Sequence, residues 1–317
     1  MKLKEIYALA IDLGINADPR GREGALKVLA AAAKAYDKLD EKQKPFFDTD
    51  SLTNPYADTR ILAGDPEAEI NKMIVGVDIE IGELLLTREL NRGGANIDLA
   101  MSHHPAGRAL AALDQVMQLQ PGAWANVGVP RNVAEGYLEG RTKEVAISVG
   151  GENYNRTVDA AGALGLRLIC IHTPCDNLVN QYLTRFMEKE KPETIEEVLT
   201  LLMTIPEYAF AAKNNNPPLV VSGGKNRSAG KIFVDMTGGG APPKEYYRLL
   251  AEAGISTVLC MYAKKETIEV AKEAHLNVII APHMPSDSIG LNLFLDQLAA
   301  RGITIVPISG LIRVGRH

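Results

Sequence analysis

Residues 73–107 read MIVGVDIEIGELLLTRELNRGGANIDLAMSHHPAG, and this stretch decides the fold class. An apolar, β-branched run (MIVGVDI) leads into helical spacing (ELLLTRELN) and then into a second apolar run (IDLAMS). Strand, helix and strand in that order form a βαβ unit, whose crossover makes the two strands parallel neighbours. The pattern repeats downstream. LRLICI, PLVVSG, KIFVDM, TVLCM, NVIIAP and ITIVPI read as further strands. RALAALDQVMQ, RTVDAAGALG, TIEEVLTLL, KEYYRLLAEAG, TIEVAKEAH and IGLNLFLDQLAARG read as helices between them. The expected class is therefore α/β with mostly parallel sheets.

Upstream the character differs. MKLKEIYALAIDLGI has Leu3, Ile6, Ala10 and Leu13 at helical spacing, with Glu5 and Asp12 interrupting the apolar residues, so it reads as an amphipathic helix and not a signal peptide. An Ala-rich helix follows, and the polar, turn-rich FFDTDSLTNPYADTR reads as a join to the α/β body.

The chain has 317 residues, is 46% hydrophobic and carries a net charge of -5 with no Lys/Arg block. That excludes nucleic-acid binding as the main activity, and no run of about 18 apolar residues is present to span a membrane. Cys170, Cys175 and Cys260 lack C-x-x-C spacing, which favours free thiols in a reducing cytoplasm.

Only six histidines occur, and four of them stand at the carboxyl ends of expected strands: His103, His104, His172 and His283. Ligands of open α/β sheets bind at those ends. One strand-end histidine alone would more often be satisfied by a backbone carbonyl. Here Asp176 follows His172 by four residues and Asp287 follows His283 by four, and imidazole with carboxylate is the donor set that suits borderline divalent metals. Adjacent side chains on an extended segment point apart, so His103 and His104 suit two different ions. His275 ends a helix and His317 is terminal. IDLAMSHHPAG is echoed by NVIIAPHMPSD, either by coincidence between two strand-to-loop junctions or because the chain holds two related halves. Asp78 and Asp235 also stand at strand ends, where a carboxylate could orient a ligand histidine. DMTGGGAPP, after KIFVDM, reads as a tight turn or as a backbone cradle for an anion.

With these residues in view, the chain resembles the NGG-one interacting factor three family, also called GTP cyclohydrolase type two homologs. SHHP at Ser102–Pro105, HTPCD at His172–Asp176 (the family's H-T-x-x-D) and HMPSD at His283–Asp287 (its H-x-x-x-E) carry the likeness, in the family's order. It spans roughly residues 56–300. The resemblance implies two divalent ions held by His103, His104, Asp176, His283 and Asp287, with Asp287 bridging; the donor types themselves suit Zn, Mn, Fe, Co and Ni alike. His172 would stand beside them as a proton carrier. It also implies a ring-shaped homo-hexamer and a metal-dependent hydrolase acting on a small molecule, after the manner of a GTP cyclohydrolase. A family named for a protein interaction also admits a non-catalytic metal-binding, metal-delivery or scaffold role. Asp287 stands where the family has Glu, one methylene shorter.

The expected organisation is an N-terminal helical extension at 1–55, a first α/β half at 56–185 and a second at 186–317, the halves facing a shared metal-binding cleft. Neither a nucleic-acid nor a membrane partner is expected.

Overall fold

Each of the eight apolar runs holds a strand, and the computed structural model, which describes residues 1–316, adds one more. His317 lies outside the described residues. The chain opens with α1 (Leu3–Asn16) and α2 (Arg22–Asp37). The first half runs β1 (Arg60–Ala63), β2 (Lys72–Gly76), α3 (Ile81–Arg92) and β3 (Leu99–Ser102). A helical insert follows: α4 (Gly107–Ala111), α5 (Leu113–Val116), α6 (Gln120–Ala125) and α7 (Arg131–Gly150). Then come α8 (Arg156–Leu164), β4 (Leu168–Cys170) and α9 (Thr173–Glu190). After α10 (Ile195–Leu202) and α11 (Pro206–Lys213), the second half runs β5 (Leu219–Ser222), β6 (Ile232–Asp235), α12 (Tyr246–Glu252) and β7 (Thr257–Cys260). It ends with α13 (Lys265–Glu273), β8 (Asn277–Ile280) and α14 (His283–Ala299), before β9 (Thr304–Pro307).

The two sheets have one topology. Their orders are β1-β4-β3-β2-β9 and β5-β8-β7-β6. In each, the first strand lies antiparallel to the fourth and the rest are parallel, with a register shift at the same place, between Ile61 and Ala63 and between Val220 and Ser222. The halves are thus related, but the equivalence differs from the echo seen in sequence: β3 corresponds to β7, and β8 corresponds to β4. The true repeat pairs His172-x-Pro174-x-Asp176 with His283-x-Pro285-x-Asp287, each after a strand and in the first turn of a helix. The doublet His103–His104 has no second copy, since Met261 and Tyr262 follow β7.

Alternation along the strands assigns the layers. In the first sheet Met73, Val75, Leu99, Met101 and Ile169 pack on one face with α1 and α14, while Ile74, Ala100 and Leu168 pack on the other with α3 and α8. In the second, Val234, Leu259 and Ile279 face α9, α10 and α11. Val258, Cys260 and Val278 face α12, α13 and the helical insert, where Trp124 lies 4.9 Å from the Tyr246 ring. The two halves exchange helices: α9, which leaves the first sheet, buries Val179, Leu183 and Met187 against the second, and α14, which leaves the second, buries Phe294, Leu295 and Leu298 against the first. The N-terminal helices form as expected, and α1 is part of the core through Leu3, Ile6 and Ala10.

The α9–α14 pair therefore lies between the sheets and makes the most extensive helix–helix contact in the molecule. Gly290 permits it: a Cβ there would come within 2.3 Å of the Cys175 carbonyl oxygen. Overpacking of this kind costs about 1–3 kcal/mol, so Gly290→Ala should lower the free energy of urea unfolding by that much. Gly162→Ala, in α8 with open space around the new methyl, should be neutral or stabilise the protein by up to about 1 kcal/mol.

Candidate metal centre

Three structural junctions meet at one point. β3 ends at Ser102 and delivers His103 and His104, β4 delivers His172 as the residue before α9, and β8 leads into α14, whose first residue is His283. The Asp of each H-x-P-x-D lies one turn further along its helix, on the same face as the histidine, because residues four apart are neighbours on a helix. Proline is tolerated in a first turn, where its missing N–H has no intrahelical partner to lose. Packing of α9 on α14 then brings Asp176 and Asp287 to the same place. The spacing of the sequence starts α14 at Ile289. The helix in fact begins six residues earlier, so His283 and Asp287 sit on it and not on a loop.

Three of the imidazoles are anchored through Nδ1, which fixes where Nε2 points. His103 Nδ1–H donates to the Ile171 carbonyl at 3.1 Å, His104 Nδ1 pairs with Asp78 at 2.7 Å and His172 Nδ1 pairs with Asp58 at 2.7 Å. Their Nε2 atoms turn to the two carboxylates. His103 Nε2 is 3.2 Å from Asp176 and 3.6 Å from Asp287, His104 Nε2 is 3.6 Å from Asp287, and His172 Nε2 is 3.7 Å from Asp176. His283 Nε2 lies 3.4 Å from Asp287. Donor atoms within 4.8 Å of one another form three sets: His103, His104 and His172; His104, His283 and Asp287; and His103, Asp176 and Asp287. All six residues expected from the sequence are thus brought together, and Asp287 touches three of the histidines. Anchored Nδ1 with free Nε2 is the arrangement that metal-ligating histidines adopt.

Hydrogen bonding points the same way. His103 Nε2, Asp176 Oδ1 and both oxygens of Asp287 are buried without a hydrogen-bond partner, although they face one another across 3–4 Å. Buried polar atoms in such number need a partner, and a cation between them would satisfy all four. The residues present therefore fit a divalent metal.

Charge is concentrated here. Burial works against ionisation of Asp287, yet His103, His104 and His283 around it hold its carboxyl well below the usual range. Burial likewise works against the protonated form of His103, and the carboxylates of Asp287 and Asp176 still raise it well above an ordinary imidazole. His104 is drawn up to about 9 against its own burial by Asp287 and Asp78. His283 differs: burial dominates and lowers it, which leaves a neutral imidazole with a free lone pair, and its side chain is 42% exposed. Cys175 is a buried thiol raised by desolvation, packed as a small apolar group.

Asp58 is the residue the sequence reading missed. It lies in the segment read as a join, where a lone Asp in a turn-rich stretch carries no spacing signal. In the fold it is fully buried and also accepts the Thr173 hydroxyl at 2.6 Å. Burial opposes its ionisation, but His172 and Thr173 together hold the carboxyl below its ordinary value. His275, after α13, stands outside the cluster. The loop of DMTGGGAPP forms a wall of the pocket at the site, which holds about 70 Å³ and is also lined by His172, Asp176, Tyr262 and His283.

Fold and site define an α/β protein of two related halves with a buried His/Asp cluster at their junction. No protein-family model and no curated protein sequence matches the chain. Among solved structures, the NIF3 superfamily protein from Sphaerobacter thermophilus matches 80% of this chain and 92% of its own, at 27% identity and a TM-score of 0.71. Reduced HcgD from Methanocaldococcus jannaschii matches 78% of this chain and 87% of its own, at 16% identity and a TM-score of 0.50, a likeness of fold. The chain has the NIF3 superfamily fold, and the resemblance carried by its SHHP, HTPCD and HMPSD motifs is that of NGG-one interacting factor three. Among the described residues no helix is long and apolar enough to cross a membrane.

Asp235, on the wall of the same pocket, allows a test by pH. Burial pushes its carboxyl up to about 6, although the Tyr246 hydroxyl donates to it at 2.6 Å. The fold thus favours protonated Asp235, and the stability tied to that proton is complete below about pH 4 and lost as pH rises through about 6. Asp235→Asn should therefore raise the calorimetric Tm relative to the native chain more at pH 8 than at pH 4.5.

Proposed function

We propose that the cluster holds two divalent metal ions and that the protein is a metal-dependent hydrolase acting on a small molecule. The four buried atoms without a hydrogen-bond partner carry this reading, because a cation between them satisfies all four together. The donors divide naturally into two groups around Asp287, with His103 and Asp176 on one side and His104 and His283 on the other. Bound ions would supply Lewis-acid polarisation and an activated water. The chain's own residues do the rest. Asp58 holds His172 in one tautomer, so that its Nε2 faces Asp176 and the pocket and can pass a proton between them. His283 stands on the open side, where a ligand enters. Opening of a guanine ring, the activity implied by the family resemblance, is one reaction of this kind. The same open side also suits metal hand-over, a second reading that substrate turnover would exclude.

The first experiment is metal content per protomer by inductively coupled plasma mass spectrometry, after purification without chelator or nickel resin. Two ions are expected in the native chain, and a loss of at least one in Asp287→Ala. No stoichiometric metal after incubation with Zn or Mn would overturn the reading. Asp58→Asn should weaken metal affinity about 10–100-fold, the effect usual for a residue that orients a ligand histidine. We also propose the ring-shaped homo-hexamer, for which analytical ultracentrifugation should give a mass six times the protomer's.

A further inference from the structure

The two halves meet at the metal centre unequally. In the first sheet the Ser102 carbonyl, at the end of β3, accepts the Ile171 N–H at 3.0 Å; in the second the Cys260 carbonyl, at the end of β7, accepts the Ala281 N–H at 2.8 Å. Ser102 and Cys260 are therefore equivalent, and so are the residues that follow them: Met261 stands for His103 and Tyr262 for His104. Ring positions agree with the register. The His104 ring lies 5.9 Å from that of His172, and the Tyr262 ring lies 5.8 Å from that of His283, the counterpart of His172 in the repeated H-x-P-x-D. One side of the centre thus carries two imidazoles where the other carries a thioether and a phenol.

Of these two replacements, Tyr262 is the one that brings hydrogen-bonding chemistry to the pocket. Met261 is buried in the apolar core with Leu259 and Ile279. Tyr262 lines the pocket together with His172, Asp176 and His283 and is 47% exposed. Its surroundings leave the hydroxyl free. His104 is held by Asp78, two residues beyond the end of β2. The residue two beyond the end of β6 is Thr237, whose hydroxyl donates to Asn177 at 2.7 Å instead. Among the described residues the Tyr262 hydroxyl has no hydrogen-bond partner. A phenol keeps its proton near neutral pH, so Tyr262 offers a donor to a ligand oxygen in the pocket.

We propose that Tyr262 is a catalytic residue of this centre, whose hydroxyl donates a hydrogen bond to an oxygen of the bound substrate from the position that His104 holds on the first side. This rests on the metal-centre reading above and narrows the substrate class of the same site. In hydrolysis the oxygen of an attacked carbonyl or phosphoryl group gains negative charge, and a donor already fixed beside it stabilises that charge. The substrate so selected carries an oxygen on its reacting carbon or phosphorus, as acyl and phosphoryl compounds do.

The test uses the full chain loaded with zinc, freed of unbound metal and titrated calorimetrically with inorganic phosphate, a stable tetrahedral oxyanion. Metal content is measured on the same samples. Tyr262→Phe removes the hydroxyl and keeps the ring beside His283. It should hold as much zinc as the native chain and bind phosphate at least about tenfold more weakly, the effect of losing one hydrogen bond to a charged oxygen. Tyr137→Phe, on α7 and outside the pocket, should bind as the native chain does. Equal phosphate affinity in the native chain and Tyr262→Phe would overturn the proposal and leave the metal reading intact, as would a zinc-loaded native chain that binds no phosphate. Loss of zinc in Tyr262→Phe would make the phenol a metal ligand and likewise overturn its role as a donor to substrate. A native chain that takes up no zinc sinks the metal reading, and the proposal with it.

Discussion

The contact between α9 and α14 is the constraint on which the rest of this structure depends. Gly290 against the Cys175 carbonyl lets the two helices approach closely enough for their first turns to face each other. Asp176 and Asp287 occupy those turns, and all four clustered histidines are arranged around the two carboxylates. Without that approach each H-x-P-x-D motif would be an ordinary helix start.

Strands were the most legible part of the sequence, because buried parallel strands are short, continuous and β-branched. β1 escaped, since the apolar residues of RILA are only partly buried and are flanked by polar turn residues. Helices were read unevenly. α9 carries its buried residues on more than one face, against α1, α14 and the second sheet, so no single apolar stripe reveals it. α7 buries only Ala134, Leu138 and Val149 and so lacks a stripe altogether.

The site was legible as residue types and illegible as support. Histidines and aspartates at four-residue spacing pick themselves out; Asp58, which holds one of those histidines, does not, because its role exists only when a distant turn folds over the end of β4. The internal repeat shows the same limit. The likeness of IDLAMSHHPAG to NVIIAPHMPSD drew the eye to the wrong pair of strands, whereas register and strand order relate β4 to β8. Asp287 in place of a longer carboxylate still lies within 3.6 Å of three imidazoles, because α14 begins early enough to carry it into the cluster.

The exchange of helices between the halves has a consequence for folding. Each sheet has one face covered by a helix that the other half contributes, and β9 closes the first sheet from the far end of the chain. Neither half can therefore bury its own apolar surface while the other is unfolded. Pairings so distant along the chain slow the search for the native state, and the site at the junction, built from residues of both halves, is complete only when both are in place.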